Sequence, residues 1–324
     1  MIHSVFHAID VFFSHLAAVD FKWLAFGVLA QLGKLVAVSR AWTNIVRAAY
    51  PKERVRWPTM FGAYVAGTGV NAIVPARGGD VVRLFLAKRR IEHSTYTTLV
   101  STSLLQTLFD VVLAGCFVIW ALTQHVLPGI DVIKSPKLPS LDYGWAFRHP
   151  TEGLVLFLLL FLFGAALIAW IAERVEEFKA KVAQGFAAFG DRSYYFTRVV
   201  PWQLLDWTLR LVTVFFFLRA FHIPATLYNA LLVQVSQSLA TILPISPAGI
   251  GTEQGLLVYI FRNVTTKSLA LSFSVGMRVT LIIVNAIVGF TAILLMTGTL
   301  NVRRQAEADR AGTEPAGVKV SDGR

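Results

Sequence analysis

At 324 residues the chain has the length of two ordinary soluble domains, yet 55% of it is hydrophobic and 15% charged, against roughly 25% charged in a typical soluble protein. A mean hydropathy of +0.60, with 24 Phe and 8 Trp, is more apolar surface than a soluble core could hide, which excludes soluble, fibrous and disordered classes and leaves lipid as the main solvent. The +11 net charge sits between apolar runs, as the positive-inside rule expects, and no separate basic domain exists to grip a nucleic acid.

The chain then reads as an all-α polytopic membrane protein. No Lys or Arg precedes Lys22, so residues 1–20 lack the basic start of a signal peptide and read as an interfacial helix. Trp23–Ser39 carries only Lys34, Thr59–Pro75 is uncharged, and Ser94–Thr123 carries only Asp110. Gly153–Ala172 is uncharged and leucine-rich, Val199–Leu218 carries Asp206 and Arg210, and Ser268–Val302 carries only Arg278. A span needs about 20 residues, so the pattern predicts about 5–8 membrane helices. The tail over 299–324 is polar and reads as disordered. Trp42, Tyr50, Trp57 and Trp202 occupy positions expected of interfacial anchors. The lone cysteine, Cys116, excludes an internal disulfide.

Two runs are interrupted. Thr59–Pro75 runs into Ala76-Arg77-Gly78-Gly79-Asp80, and Ile223–Thr252 breaks at Pro244, Pro247, Gly249 and Gly251, followed by Glu253. Proline and glycine cannot continue a straight helix there, and irregular backbone at membrane depth survives only beside protein or a wet cavity. From Pro75 to Asp110 is 35 residues and from Pro244 to Arg278 is 34. Interrupted segments in matching places point to inverted repeats and a shared binding site: repeat one over about 21–124, a linker span over 153–172, and repeat two over about 198–298. The basic flanks Arg47–Arg56 and Arg83–Arg90 conflict with a full crossing between them, so the first hairpin is expected to be re-entrant, with the C-terminus cytoplasmic.

Pro75-x-Arg77-x-Gly79-Asp80-x-x-Arg83, mid-helix Asp110, Leu243-Pro244-x-x-Pro247-Ala248-Gly249-Ile250-Gly251 with Glu253, and Arg278 resemble the lysylphosphatidylglycerol synthase/flippase transmembrane-domain family. The resemblance runs over roughly residues 20–298. It implies a membrane domain that moves lipid headgroups or lipid-linked sugars between leaflets. The chain departs from that pattern at Asp80, where Glu is common, at Gln106 and Thr107, where a Glu-Arg pair is common, and in the closer spacing of Glu253 to the glycines. The soluble aminoacyl-transfer domain of the best-known members has no counterpart here, so synthase activity is not expected.

The expected substrate-binding set is Arg77, Gly79, Asp80, Arg83, Asp110, Pro244, Pro247, Gly249, Gly251, Glu253 and Arg278. Guanidinium groups suit a phosphate because they offer bidentate donors and keep their charge. Asp80 reads as a helix cap and Thr252 as the cap of a helix from Glu253. Asp110 and Arg278 are expected to face each other across one cavity, and Asp206 and Arg210, four apart, to pair on one helix face. No HExxH, Walker loop or CxxC pair is present, so no cofactor, metal or enzymatic constellation is expected. The expected function is translocation of an anionic or polyprenyl-linked lipid. A scaffold for a synthase or glycosyltransferase and an integral-membrane transferase are the alternatives.

Overall fold

The computed structural model describes residues 18–74, 78–124, 176–242 and 251–297. Every regular element among them is a helix. The expected N-terminal helix, the span over 153–172, the tail, and Arg77, Pro244, Pro247 and Gly249 lie outside the described residues.

Helix α1, Phe21–Ala49, starts where the Asp20 side chain accepts the Lys22 N–H at 2.9 Å, satisfying one of the donors a helix start leaves free. At 29 residues it is about 43 Å long and runs through Arg40 and Arg47, past the end its uncharged stretch suggests. Helix α2, Trp57–Ile73, opens with a proline in its first turn, where the missing N–H costs nothing. Helix α3, Gly78–Lys88, doubles back along α2. The approach is at backbone contact: a Cβ on Gly79 would collide with the Gly67 carbonyl, and one on Gly67 would lie 2.6 Å from the Gly79 carbonyl. Helix α4 is Tyr96–Thr123.

After α5, Glu176–Gly185, short helical turns over 187–199 lead into α6, Val200–Ala220. A second hairpin follows, with α7, Leu227–Ile242, and α8, Thr252–Ile260. Helix α9, Lys267–Thr297, closes the described chain. Three helices, α1, α4 and α9, are long and apolar enough to cross a membrane. Helix α6 has 21 residues, about 31 Å, but carries Asp206, Arg210 and Arg219 on its length.

Contacts at the helix ends give the two hairpins their direction. Tyr50, before α2, accepts the Thr95 N–H, after α3, at 3.0 Å, and Arg90 donates to the Met296 carbonyl at 2.9 Å. The first hairpin therefore opens toward the C-terminal ends of α1 and α9. At the other end, Asp20 N–H donates to the Ala220 carbonyl at 3.0 Å, and Phe221, Ile223, Ile260, Phe261, Ala270 and Phe273 share one apolar cluster. The second hairpin opens toward the start of α1. The two hairpins thus enter the bundle from opposite ends.

Helices α2 and α9 meet where Gly69 faces Gly289, and a Cβ on Gly69 would lie 2.6 Å from Gly289 Cα. Small residues at such crossings let backbones touch, the packing mode of helices in lipid. Much of the outer surface is apolar, with Leu295, Ile287 and Val112 exposed, as lipid-facing positions require. Trp42 departs from its expected place at the interface. It is fully buried, with its indole N–H donating to Thr102 Oγ1 at 3.2 Å, because a buried ring that finds a partner for its N–H contributes more area than one left at the headgroups.

Candidate functional site

A cavity of about 360 Å³ lies where the two hairpins approach each other. Helix α2 contributes Thr68 and Asn71, α7 contributes Gln237, α8 contributes Glu253, and α9 contributes Arg278 and Asn285. Those six side chains are polar, at a depth where every neighbouring run is apolar. Polar and ionisable groups are expensive in hydrocarbon and accumulate where they face an interior or a wet space.

Glu253 and Arg278 are the charged pair of this cavity. Arg278 Nη1 lies 3.1 Å from Glu253 Oε2, and Gln237 Nε2 donates to Glu253 Oε1 at 3.2 Å. Both carboxylate oxygens are therefore engaged, which is the condition under which a buried ion pair is tolerated. Asn285 accepts from Gln31 of α1 at 3.0 Å, tying the cavity wall to the longest early helix. Gly251 precedes α8 with φ +89°, a conformation that favours glycine. Its N–H donates to Gln254 Oε1 at 2.7 Å. The cap of this helix is thus Gly251, not Thr252, since a side chain inside the helix reaching back does the work expected of a threonine hydroxyl before it.

The first motif reaches the cavity through Asn71. Asn71 Oδ1 accepts the Gly79 N–H at 2.7 Å, and its amide donates to Asp80 Oδ1 at 3.2 Å. The start of α3 is therefore satisfied by a side chain from α2. Asp80, in the first turn, is favourably placed against the helix dipole and lies 4.0 Å from Arg83. Arg83 does not extend to the interface. Its guanidinium sits between the rings of Trp42 and Tyr64, 4.9 and 5.0 Å from their centroids, and its Nε is buried without a hydrogen-bond partner.

Asp110 is not across this cavity from Arg278. It accepts the Trp207 indole N–H at 2.8 Å and lies 3.4 Å from Arg210, while Arg278 is taken by Glu253. The cause is the α6 helix: its Asp206–Arg210 pair, closed at 2.7 Å as i,i+4 spacing allows, presents Arg210 to α4 and captures Asp110. Lys34, half-buried on α1, is within electrostatic reach of Asp110, Asp206 and Arg210. The Glu253–Arg278 pair thus stands apart from Lys34, Asp110, Asp206 and Arg210, which lie between α1, α4 and α6.

Sequence reasoning missed Asn71, Gln237, Thr68 and Asn285. Each is an uncharged polar residue inside an apolar run, where the amides of Asn71, Gln237 and Asn285 are the available signal and the Thr68 hydroxyl gives none.

These features define a multi-pass helical membrane protein with a polar, ion-paired cavity between two opposed hairpins. The chain belongs to the family described as the lysylphosphatidylglycerol synthase TM region, whose model matches residues 7–289. It is similar to the UPF0104 membrane protein MJ1078 of Methanocaldococcus jannaschii, with 22% identity over 247 residues, covering 74% of this chain and 99% of that protein. No solved structure matches the chain.

Proposed function

We propose that this protein is a lipid translocase that carries an anionic phospholipid or polyprenyl-linked lipid between leaflets without changing it covalently. The observation that supports this most is the cavity of about 360 Å³ that holds Glu253 and Arg278 between the helices of the two hairpins. A charged headgroup crosses hydrocarbon slowly because desolvating it is costly. A groove that offers a guanidinium and neutral amides in place of water lowers that cost, while the acyl or prenyl chains stay in lipid beside the apolar helix faces. In this reading the headgroup phosphate exchanges with Glu253 for Arg278. Arg83, held against Trp42 and Tyr64, supplies a second guanidinium on the side of the basic flanks.

The hairpins then act as re-entrant halves of an inverted pair, with the basic flanks and the C-terminus on the cytoplasmic side. The test is reconstitution into vesicles of phosphatidylcholine with a minority of fluorescent phosphatidylglycerol or a polyprenyl phosphate, followed by quenching of the outer leaflet. Wild type accelerates loss of the protected fraction, and Arg278→Ala returns it to the rate of protein-free vesicles. Equal rates for wild type and protein-free vesicles with both lipids overturn the proposal and favour a scaffold that holds a synthase or glycosyltransferase. A change in the mass of the lipid favours a transferase.

A further inference from the structure

One face of α6 is polar in a way the cavity does not use. Gln203, Asp206, Arg210 and Thr213 recur at three- and four-residue spacing, which places them on one stripe of the helix. Gln203, Asp206 and Thr213 are each at most 3% exposed. Four of their atoms have no hydrogen-bond partner: both amide atoms of Gln203, Asp206 Oδ1 and Thr213 Oγ1. Such atoms are rare in folded proteins, and those that occur are met by internal water or mark a functional group. Here they lie in series along a helix of membrane-spanning length.

Asp206 is the centre of the series. Its Oδ2 receives Arg210 twice, Nε at 2.9 Å and Nη2 at 2.7 Å, while Oδ1 is left bare. A proton arriving at Oδ1 turns the bare acceptor into a donor and leaves the Arg210 contacts at Oδ2 in place. The groups facing Asp206 are Lys34 of α1, Asp110 of α4 and Arg210 of its own helix; Tyr64 of α2 lies in the same field, with Arg83 of α3 beyond it. Lys34, Arg210, Asp110 and Asp206 sum to zero when all are ionised. Uptake of one proton by Asp206 makes the cluster +1, and its release restores zero. No group is oxidised or reduced, and no bond other than O–H forms or breaks.

We propose that the Gln203–Asp206–Thr213 stripe, between α1 and α6, is a hydrated proton path with Asp206 as the proton-holding group, separate from the Glu253–Arg278 cavity. It deepens the translocase reading, on which it rests for its purpose, by naming the proton as the ion that drives lipid movement. Gln203 relays on the side of the basic flanks and Thr213 on the opposite side.

Two readouts on the full-length protein separate this proposal from the translocase reading. In infrared difference spectra of purified protein, lowering the pH produces the stretching band of a protonated carboxyl, and Asp206→Asn removes it while Asp206→Glu moves it. A spectrum identical in wild type and Asp206→Asn overturns the proposal whether or not lipid moves. In vesicles carrying fluorescent phosphatidylglycerol, an imposed pH gradient changes the wild-type rate of lipid movement severalfold. Asp206→Asn and the uncharged Gln203→Leu keep lipid movement but lose the response to the gradient. Wild-type movement indifferent to the gradient overturns the coupling. Absence of any wild-type movement sinks the translocase reading instead, and the infrared band then decides the proton site alone.

Discussion

Removing one member of the Glu253–Arg278 pair leaves the other's charge inside the cavity without its counter-charge at 3.1 Å. Breaking a buried pair singly costs about 3–5 kcal/mol, whereas replacing both members costs much less. Arg278→Met alone is therefore expected to lower the midpoint of thermal unfolding in detergent strongly, and Arg278→Met with Glu253→Met to recover most of it. If the cavity binds headgroups, the double variant recovers stability without recovering lipid movement. Equal loss in single and double variants contradicts the pairing. Asp110 and Arg278 were legible because a charge inside a long apolar run is conspicuous, and Glu253 because it follows the proline- and glycine-rich break. Their partners were less so. Arg210 shares itself between Asp206 and Asp110, which depends on how α6 is rotated against α4, and one-dimensional spacing carries no record of that. Asn71 and Gln237 escaped because they carry no charge, and what each engages, the Gly79 N–H and the Glu253 carboxylate, is set only when the helices pack.

At the scale of elements, the hairpins were written in proline and glycine, and the structure adds why particular glycines are needed. Gly69 and Gly289 touch through their backbones, and Gly67 and Gly79 do the same within the first hairpin. Gly69→Val forces α2 from α9 and is expected to cost roughly 1–3 kcal/mol or more, the usual penalty of overpacking. Gly115→Ala, where nothing lies within 4 Å, is the matched control and is expected to be neutral or to stabilise by about 0.5–1 kcal/mol through helix propensity. Thermal unfolding of both variants in one detergent checks the contrast, and similar shifts refute it. Gly251→Ala, at φ +89°, is expected to cost about 1–2 kcal/mol. The length of α1 was underestimated, since its apolar run, broken only by Lys34, ends near Ser39. The helix continues because Trp42, Ile45 and Val46 pack into the core on the same length of chain that carries Arg40 and Arg47.

For the whole molecule, the arrangement of charges follows from placing two hairpins head to head. Asn71 of α2, Gln237 of α7 and Asn285 of α9 line one cavity together with the Glu253–Arg278 pair. Composition sufficed for the membrane class, and the matched interruptions for the hairpins. The separation of the deep charges into two groups needed the three-dimensional packing of α6 against both α1 and α4. The space between the two hairpins is expected to be wet, and cysteine accessibility measures this. With Cys116, the sole cysteine, replaced by serine, Asn285→Cys on the cavity wall and Ile287→Cys on the 62% exposed outer face of the same helix are treated with a charged, water-soluble thiol reagent in membranes. The cavity predicts rapid modification at 285 and little at 287, because the reagent requires water and a thiolate. Modification at 287 but not at 285, or at neither, contradicts it.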